Sequence, residues 1–277
     1  MKKGQRVFLL AFLMIFLGVL AVFLSGISDK LQTNVITVRT EKVSAPVRLA
    51  LITDLHSCKY GENQVLLIDA LESSAPDAVI LCGDIIDEKL PEEPAWSLIR
   101  QAAERYPCFY VTGNHEYRIG DIGKVKETVR QLGAVVLEGE RRTVTLNGQD
   151  IDICGMDDSL VTNETFALQL EQCSADSPEN YSVLAFHRPE NILKFENKGF
   201  DLVLSGHAHG GQWRIPKILE NGLIAPGQGL FPRYTSGLYK ISDSLTLIVS
   251  RGLAKEKTWI PRVYNNPEIV IVDIIPE

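Results

Sequence analysis

From residue 47 onward, short apolar runs alternate with amphipathic stretches, and that alternation limits the fold more than any other feature of the chain. The runs at 49–52, 78–81 and 109–111 have the length of buried strands, whereas 64–72, 95–105 and 122–132 carry apolar residues at helical spacing. A β-α-β-α order of this kind implies a sheet with helices packed on its faces. Closely spaced strands are expected at 134–137, 143–146 and 151–154, with Asn147-Gly148 as a hairpin turn. Further strands are expected at 183–186, 202–204, 238–241, 245–249 and 269–274. The reading is an α/β protein, a four-layer α/β/β/α sandwich of two mixed sheets.

Residues able to bind metals fall just after these strands, where open α/β sheets place their ligand sites. They are Asp54 and His56 after the first, Asp84 and Asp87 after the second, and Asn114, His115 and Glu116 after the third. Later strands deliver His187-Arg188 and then Gly206-His207-Ala208-His209-Gly210-Gly211-Gln212. The chain has five histidines and all five lie in these segments. A single histidine says little; their joint placement is the signal. In an extended loop residues two apart project to one side, so Asp54 with His56, and His207 with His209, can aim at a common point. Mixed imidazole and carboxylate donors suit Zn, Mn or Fe and do not suit Ca, which prefers oxygen throughout.

The ordered series D-x-H, G-D, G-N-H-E, a lone His and G-H-x-H, from Asp54 to His209, resembles the calcineurin-like metallophosphoesterases, and G-H-A-H-G-G-Q is similar to their membrane-associated bacterial branch. The resemblance implies a metallophosphoesterase-like fold with two divalent ions. Asp54, His56 and His209 would hold one; Asn114, His187 and His207 would hold the other; Asp84 would bridge them. It implies a metal-bridging hydroxide attacking a phosphate ester or pyrophosphate. His115 would be the catalytic residue that protonates the leaving oxygen, with Glu116 as its orienting partner. Arg188 and Arg251 are weaker phosphate-clamp candidates, since either reads more readily as a surface or structural residue. Asp87 is as readily a helix cap. Cys82 stands where Thr is common in the family and reads as packing.

Composition narrows the function classes. A net charge of −7 argues against nucleic acid as a partner, because phosphate backbones are held by clustered Lys and Arg. The five cysteines include no C-x-x-C pair, and Cys82, Cys108 and Cys154 sit in apolar runs as small buried hydrophobes. Residues 7–24 carry no charged or polar side chain and follow Lys2, Lys3 and Arg6, the pattern of one retained transmembrane helix with its basic end in the cytoplasm. The expected organisation is a cytoplasmic tip and membrane anchor at 1–27, a linker at 28–46 with a short edge strand at 35–38, and a catalytic domain at 47–277. That places a single-pass protein in the cell membrane, its catalytic domain extracytoplasmic and its substrate a phosphate ester, phospholipid or other lipid-linked phosphate. The alternatives are a soluble phosphodiester or phosphomonoester hydrolase of broad specificity and a metal-bound scaffold without turnover. The glycine-rich, partly apolar loop at 227–232 reads either as ordinary packing or as a lipid contact.

Overall fold

The computed structural model describes residues 3–176, 178–255 and 261–277, with side chains 3, 6–9, 11 and 19 outside that set. The chain opens with helix α1 (Lys3–Ser25) and strand β1 (Gln32–Thr40). There follow β2 (Val47–Ile52), α2 (Val65–Ser74), β3 (Ala78–Cys82), α3 (Glu93–Arg105), β4 (Cys108–Val111), a short α4 (Asn114–Arg118), α5 (Ile122–Gln131) and β5 (Val135–Val136). The second half contains β6 (Glu140–Leu146), β7 (Gln149–Gly155), α6 (Asn163–Cys173), β8 (Tyr181–Ala185) and β9 (Leu202–Ser205). A small ribbon of β10 (Ile224–Ala225) and β11 (Gly229–Leu230) precedes β12 (Gly237–Lys240), β13 (Thr246–Val249) and β14 (Glu268–Pro276).

Two six-stranded sheets form, in the orders β1-β14-β2-β3-β4-β5 and β12-β13-β9-β8-β7-β6. Both are mixed. β2 to β5 run parallel with β14 antiparallel to β2, and β13, β9, β8 and β7 run parallel with antiparallel β12 and β6 at the edges. Between the sheets lies one core, in which Leu49, Ile80 and Val111 meet Ile153, Val183 and Leu204. The outer face of the first sheet is covered by apolar residues of α2, α3 and α5, and that of the second by Phe186, Phe195 and Cys173 from α6 and its neighbours. These are the four expected layers. All five cysteines are buried and none forms a disulfide. Asn147 and Gly148 turn the β6–β7 hairpin with φ of 48° and 74°, the left-handed pair that suits a two-residue loop.

Three expectations need amendment. Residues 28–46 are not simply a linker: β1 pairs with β14 along its whole length, from Gln32 opposite Glu268 to Thr40 opposite Pro276, so it closes the first sheet. α6 was not anticipated, because only Gln169 and Cys173 of it are buried and the apolar stripe is thin; Thr162 caps it by accepting from the Thr165 amide at 3.1 Å. The membrane span expected at 7–24 falls partly on side chains outside those described, and among the described residues no helix is long and apolar enough to cross a membrane.

Parallel strands put their carboxyl ends on one edge, and both sheets present that edge to the same place. Asp54 N donates to Gly83 O at 3.0 Å, Gly206 N to His187 O at 3.0 Å and Leu253 N to Thr53 O at 3.1 Å, tying the strand-end loops together.

Candidate metal centre

The loops after β2, β3 and β9 turn through left-handed backbone at Asp54, His56, Asp84, His207 and His209, with φ between 45° and 64°. Such angles are uncommon outside glycine and cost on the order of 1–3 kcal/mol each; they persist where the surroundings over-determine them. Here they turn five polar side chains toward one point. Gly83 has φ of 79°, and a Cβ there would meet His187 Nδ1 at 2.6 Å and Gly113 N at 2.8 Å. No other residue fits.

All seven expected ligand residues are buried; six fall into two close groups, and Asn114 lines the cavity with His56, Asp84 and His207. Asp54, His56 and His209 form one group able to share an ion; Asp84, His187 and His207 form a second. His209 Nε2 lies 3.5 Å and His56 Nε2 4.0 Å from Asp54 Oδ1. Asp84 Oδ2 stands between the groups, 3.1 Å from His187 Nε2 and 3.8 Å from His56 Nε2. Five buried atoms there (His56 Nε2, His187 Nε2, both ring nitrogens of His207 and Asn114 Oδ1) have no hydrogen-bond partner among the described residues. Each such orphan costs about 1–3 kcal/mol. Unpartnered donors of this kind, gathered with two carboxylates, fit divalent cations.

Surrounding groups orient the donors. His187 Nδ1 donates to Cys82 O at 2.8 Å, which points Nε2 inward at Asp84. Asp54 accepts from the His207 amide at 3.1 Å and from Thr53 Oγ1 at 2.8 Å. His56 Nδ1 faces Asp87 Oδ2 at 3.3 Å, so Asp87 steadies a ligand ring. Burial opposes charge on Asp84, but His187 and His56 outweigh it and hold the carboxyl well below its ordinary range. Burial likewise opposes charge on His187, yet Asp84 and Asp54 push it up to about 10. Two buried carboxylates thus call for positive charge at this point. Burial first, then neighbouring cationic groups, hold His207 and His209 well below their ordinary value, in the neutral form that binds metals.

His115 sits at the rim, where it also falls into two further groups whose donor atoms lie close enough to share an ion, one with His56 and Asp84 and one with Asp87 and Glu88. Its amide donates to Asp84 Oδ1 at 2.8 Å, its Nδ1 donates to Glu88 Oε2 at 2.5 Å, and Arg118 Nη1 approaches Nε2 at 3.0 Å. Glu116 is not its partner. That carboxylate is fully buried and accepts from the amides of Asp84, Ile85, Ile86 and Gly113, shaping the loop that carries Asp84. Glu88 and Arg118 lie just past the strand-end motifs and match none of them, so no sequence signal joins them to His115. Arg188 is engaged by Asp158 through Nε at 2.6 Å and Nη2 at 2.9 Å, and Arg251 by Glu268, so both guanidinium forks are occupied. A cavity of about 400 Å³ opens over the cluster, rimmed by Lys89, Leu90, Arg118, Gln212, Pro226 and Ala254.

An α/β/β/α sandwich holding imidazole and carboxylate donors under an open, partly cationic rim is the scaffold of a metal-dependent hydrolase. The calcineurin-like phosphoesterase family profile matches residues 47–211, and the chain belongs to that family. It is 30% identical to an uncharacterized metallophosphoesterase of Campylobacter jejuni, Cj0846, over 99% of this chain and 73% of that one. It is 24% identical to the phosphodiesterase YaeI of Escherichia coli, over 84% and 83% of the two chains. Among solved structures, TT1561 of Thermus thermophilus aligns with a TM-score of 0.50 at 11% identity, covering 76% of this chain and 91% of that one, which speaks to fold alone. The chain is a metal-dependent phosphoester hydrolase.

Proposed function

We propose that the enzyme uses two divalent ions (Mn, Zn or Fe) to hydrolyse a phosphodiester or pyrophosphate bond in a lipid-linked phosphate, held at the cell membrane by α1 with its catalytic domain outside the cytoplasm. Asp54, His56 and His209 would hold one ion; Asn114, His187 and His207 the other; Asp84 would serve both. The observation that carries this is Asp84 Oδ2 lying within 4 Å of imidazoles from both groups. Bound there, such ions supply Lewis-acid charge at the phosphoryl group and lower the pKa of water.

The side chains account for the rest. Arg118 and Lys89 at the rim attract an anionic ester, and an arriving phosphate draws the Arg118 guanidinium from His115 Nε2. With Nε2 protonated, the Glu88 carboxylate stabilises the imidazolium through Nδ1–H. As the P–O bond breaks, the Nε2 proton passes to the leaving oxygen and His115 is left neutral. Burial lowers the His115 pKa from its ordinary value, which strengthens the imidazolium as a proton donor and makes that form a smaller fraction at neutral pH. A scaffold without turnover has no use for this pair.

Membrane attachment is supported by the sequence of α1, whose described large apolar side chains are mostly exposed. Residues 7–24 without a charge span about 27 Å at 1.5 Å per residue, close to the ~30 Å of a bilayer core.

The test is the purified full chain, stripped of metal and reloaded with Mn, Zn or Fe, offered nitrophenyl phosphodiesters, nucleotide esters and a lipid pyrophosphate. Turnover that appears with metal, is abolished by chelation and is highest on the lipid supports the proposal; a metal-loaded sample inert toward every ester ends it. Whole cells carrying Lys124→Cys and a membrane-impermeant thiol reagent test orientation: absence of labelling would place the domain in the cytoplasm.

A further inference from the structure

The segment from Trp213 to Arg233 lies between the last ligand and the closing strands, and most of it takes no part in the site chemistry. Outside α1, the three most exposed large apolar side chains among the described residues all belong to it: Ile218 at 81%, Phe231 at 71% and Leu230 at 64%. Ile218 and Phe231 line one open groove together with Lys217 and Glu220. Their display is ordered. Ile215 and Leu219 exchange backbone hydrogen bonds at 3.2 and 2.7 Å to close one tip. Gln228 closes the other, accepting from the amides of Arg233 and Tyr234 at 3.0 and 2.9 Å and donating to Tyr234 O at 2.7 Å. Because Ile218 and Phe231 share this groove and Leu230 adjoins it in sequence, they form a grouped apolar patch rather than scattered residues, and such a patch marks an interaction surface.

Three observations identify the occupant. First, the segment begins where α1 ends: the Trp213 ring meets Phe23 edge-on at 5.4 Å, and Tyr264 OH donates to Val22 O at 2.7 Å. The apolar tips thus continue from a helix that exposes ten large apolar side chains between Leu10 and Leu24. Second, the segment carries Arg214, Lys217 and Arg233 against Glu220, an excess of two positive charges within a chain of net charge −7. Apolar tips among cations match the boundary between acyl chains and anionic headgroups. Third, the same segment returns to the catalytic cavity: Leu223 N donates to Gly211 O at 2.9 Å, two residues after His209, and Pro226 lines the cavity rim.

We infer that the 215–231 tips rest in the interfacial layer of an anionic bilayer and hold the catalytic cavity beside the headgroups, so that its substrate is a phosphoester carried by a membrane amphiphile. The substrate half of this rests on the proposed phosphoesterase function; the docking half does not.

The experiment uses the full chain reconstituted in vesicles of phosphatidylethanolamine and phosphatidylglycerol. Because all five native cysteines are buried, single thiols introduced as Ile218→Cys, Phe231→Cys and the distant control Lys124→Cys accept an environment-sensitive fluorophore selectively. The expected result is blue-shifted emission at 218 and 231, quenched by lipid carrying a nitroxide near the headgroup, with neither effect at 124. Emission at 218 and 231 matching the control overturns the inference. So does a blue shift that the nitroxide lipid leaves unquenched, which would assign the patch to a second copy of the chain. Phe231→Asp, which lies outside the catalytic machinery, is then expected to lower turnover of a bilayer-embedded ester about tenfold or more while leaving a soluble nitrophenyl ester unchanged. Equal turnover of the embedded ester by both proteins overturns the substrate half. If neither protein hydrolyses any ester, the phosphoesterase reading fails, and the quenching result still decides the docking.

Discussion

Glu116 offers the sharpest separation of a structural from a catalytic role. Its Oε1 accepts from the amides of Ile85 at 2.8 Å and Ile86 at 3.1 Å, and its Oε2 from those of Gly113 at 2.8 Å and Asp84 at 3.0 Å. Glu116→Gln keeps the volume but offers one acceptor atom. Whichever way the amide turns, its NH₂ faces two buried N–H groups, and each unmatched donor costs about 1–3 kcal/mol. Burial and the nearby Asp84 push the Glu116 carboxyl up to about 7, so removing its charge offsets part of that loss. Two unmatched donors should still win, by about 2 kcal/mol or more. For a chain of this size that lowers the unfolding midpoint by about 4 °C or more. Thermal unfolding of metal-free protein reads the effect without contribution from ligand binding. An unchanged midpoint, with activity lost only on poor leaving groups, would refute this and return Glu116 to His115.

Further expectations follow from the same geometry. His115→Ala should lose about 10²–10⁴-fold on alkyl phosphodiesters and far less on nitrophenyl esters, measured as kcat; equal losses on both would remove the acid role. Glu88→Gln should show the same leaving-group dependence, weaker, with an unchanged unfolding midpoint. Gly206→Ala would drive a Cβ into Thr53 Oγ1 and Asp54 Oδ2, so metal content by elemental analysis should fall before the fold is lost. Asp152 bears on acid stability. Burial favours its protonation, but hydrogen bonds from Asn180, Thr143 and Arg141 outweigh it and hold its pKa below the ordinary value. Its folded pKa is therefore lower than the unfolded one. The stabilisation is present above about pH 4 and is lost as pH falls through the folded value. Asp152→Asn should flatten the fall of the urea midpoint below about pH 4; an unaltered slope would deny Asp152 that role.

The seven candidate ligands were legible because each follows a strand whose apolar run is unambiguous, and because the chain has no histidine outside these segments. Parallel pairing of β2, β3 and β4, and of β8 and β9, turns that one-dimensional regularity into a shared edge. What the sequence hid depends on loops without a repeating pattern. Glu88 reaches His115 only because Glu116 folds the loop after β3, and the capping pattern that makes Glu116 structural is easily mistaken for a place beside its neighbour His115. β1 was half visible: Val35, Ile36 and Val38 alternate, but its partner β14 is more than two hundred residues away. Arg188 and Arg251 pointed to phosphate by type, and nothing in the sequence marked Asp158 and Glu268 as the acids that engage them.

Anomalous diffraction from crystals grown with manganese would examine the metal centre most directly. Two peaks about 3.5–4 Å apart, one on either side of Asp84 and both lost in Asp84→Asn, are expected. A single peak at Asp87, Glu88 and His115, or density that survives the loss of Asp84, would contradict the assignment.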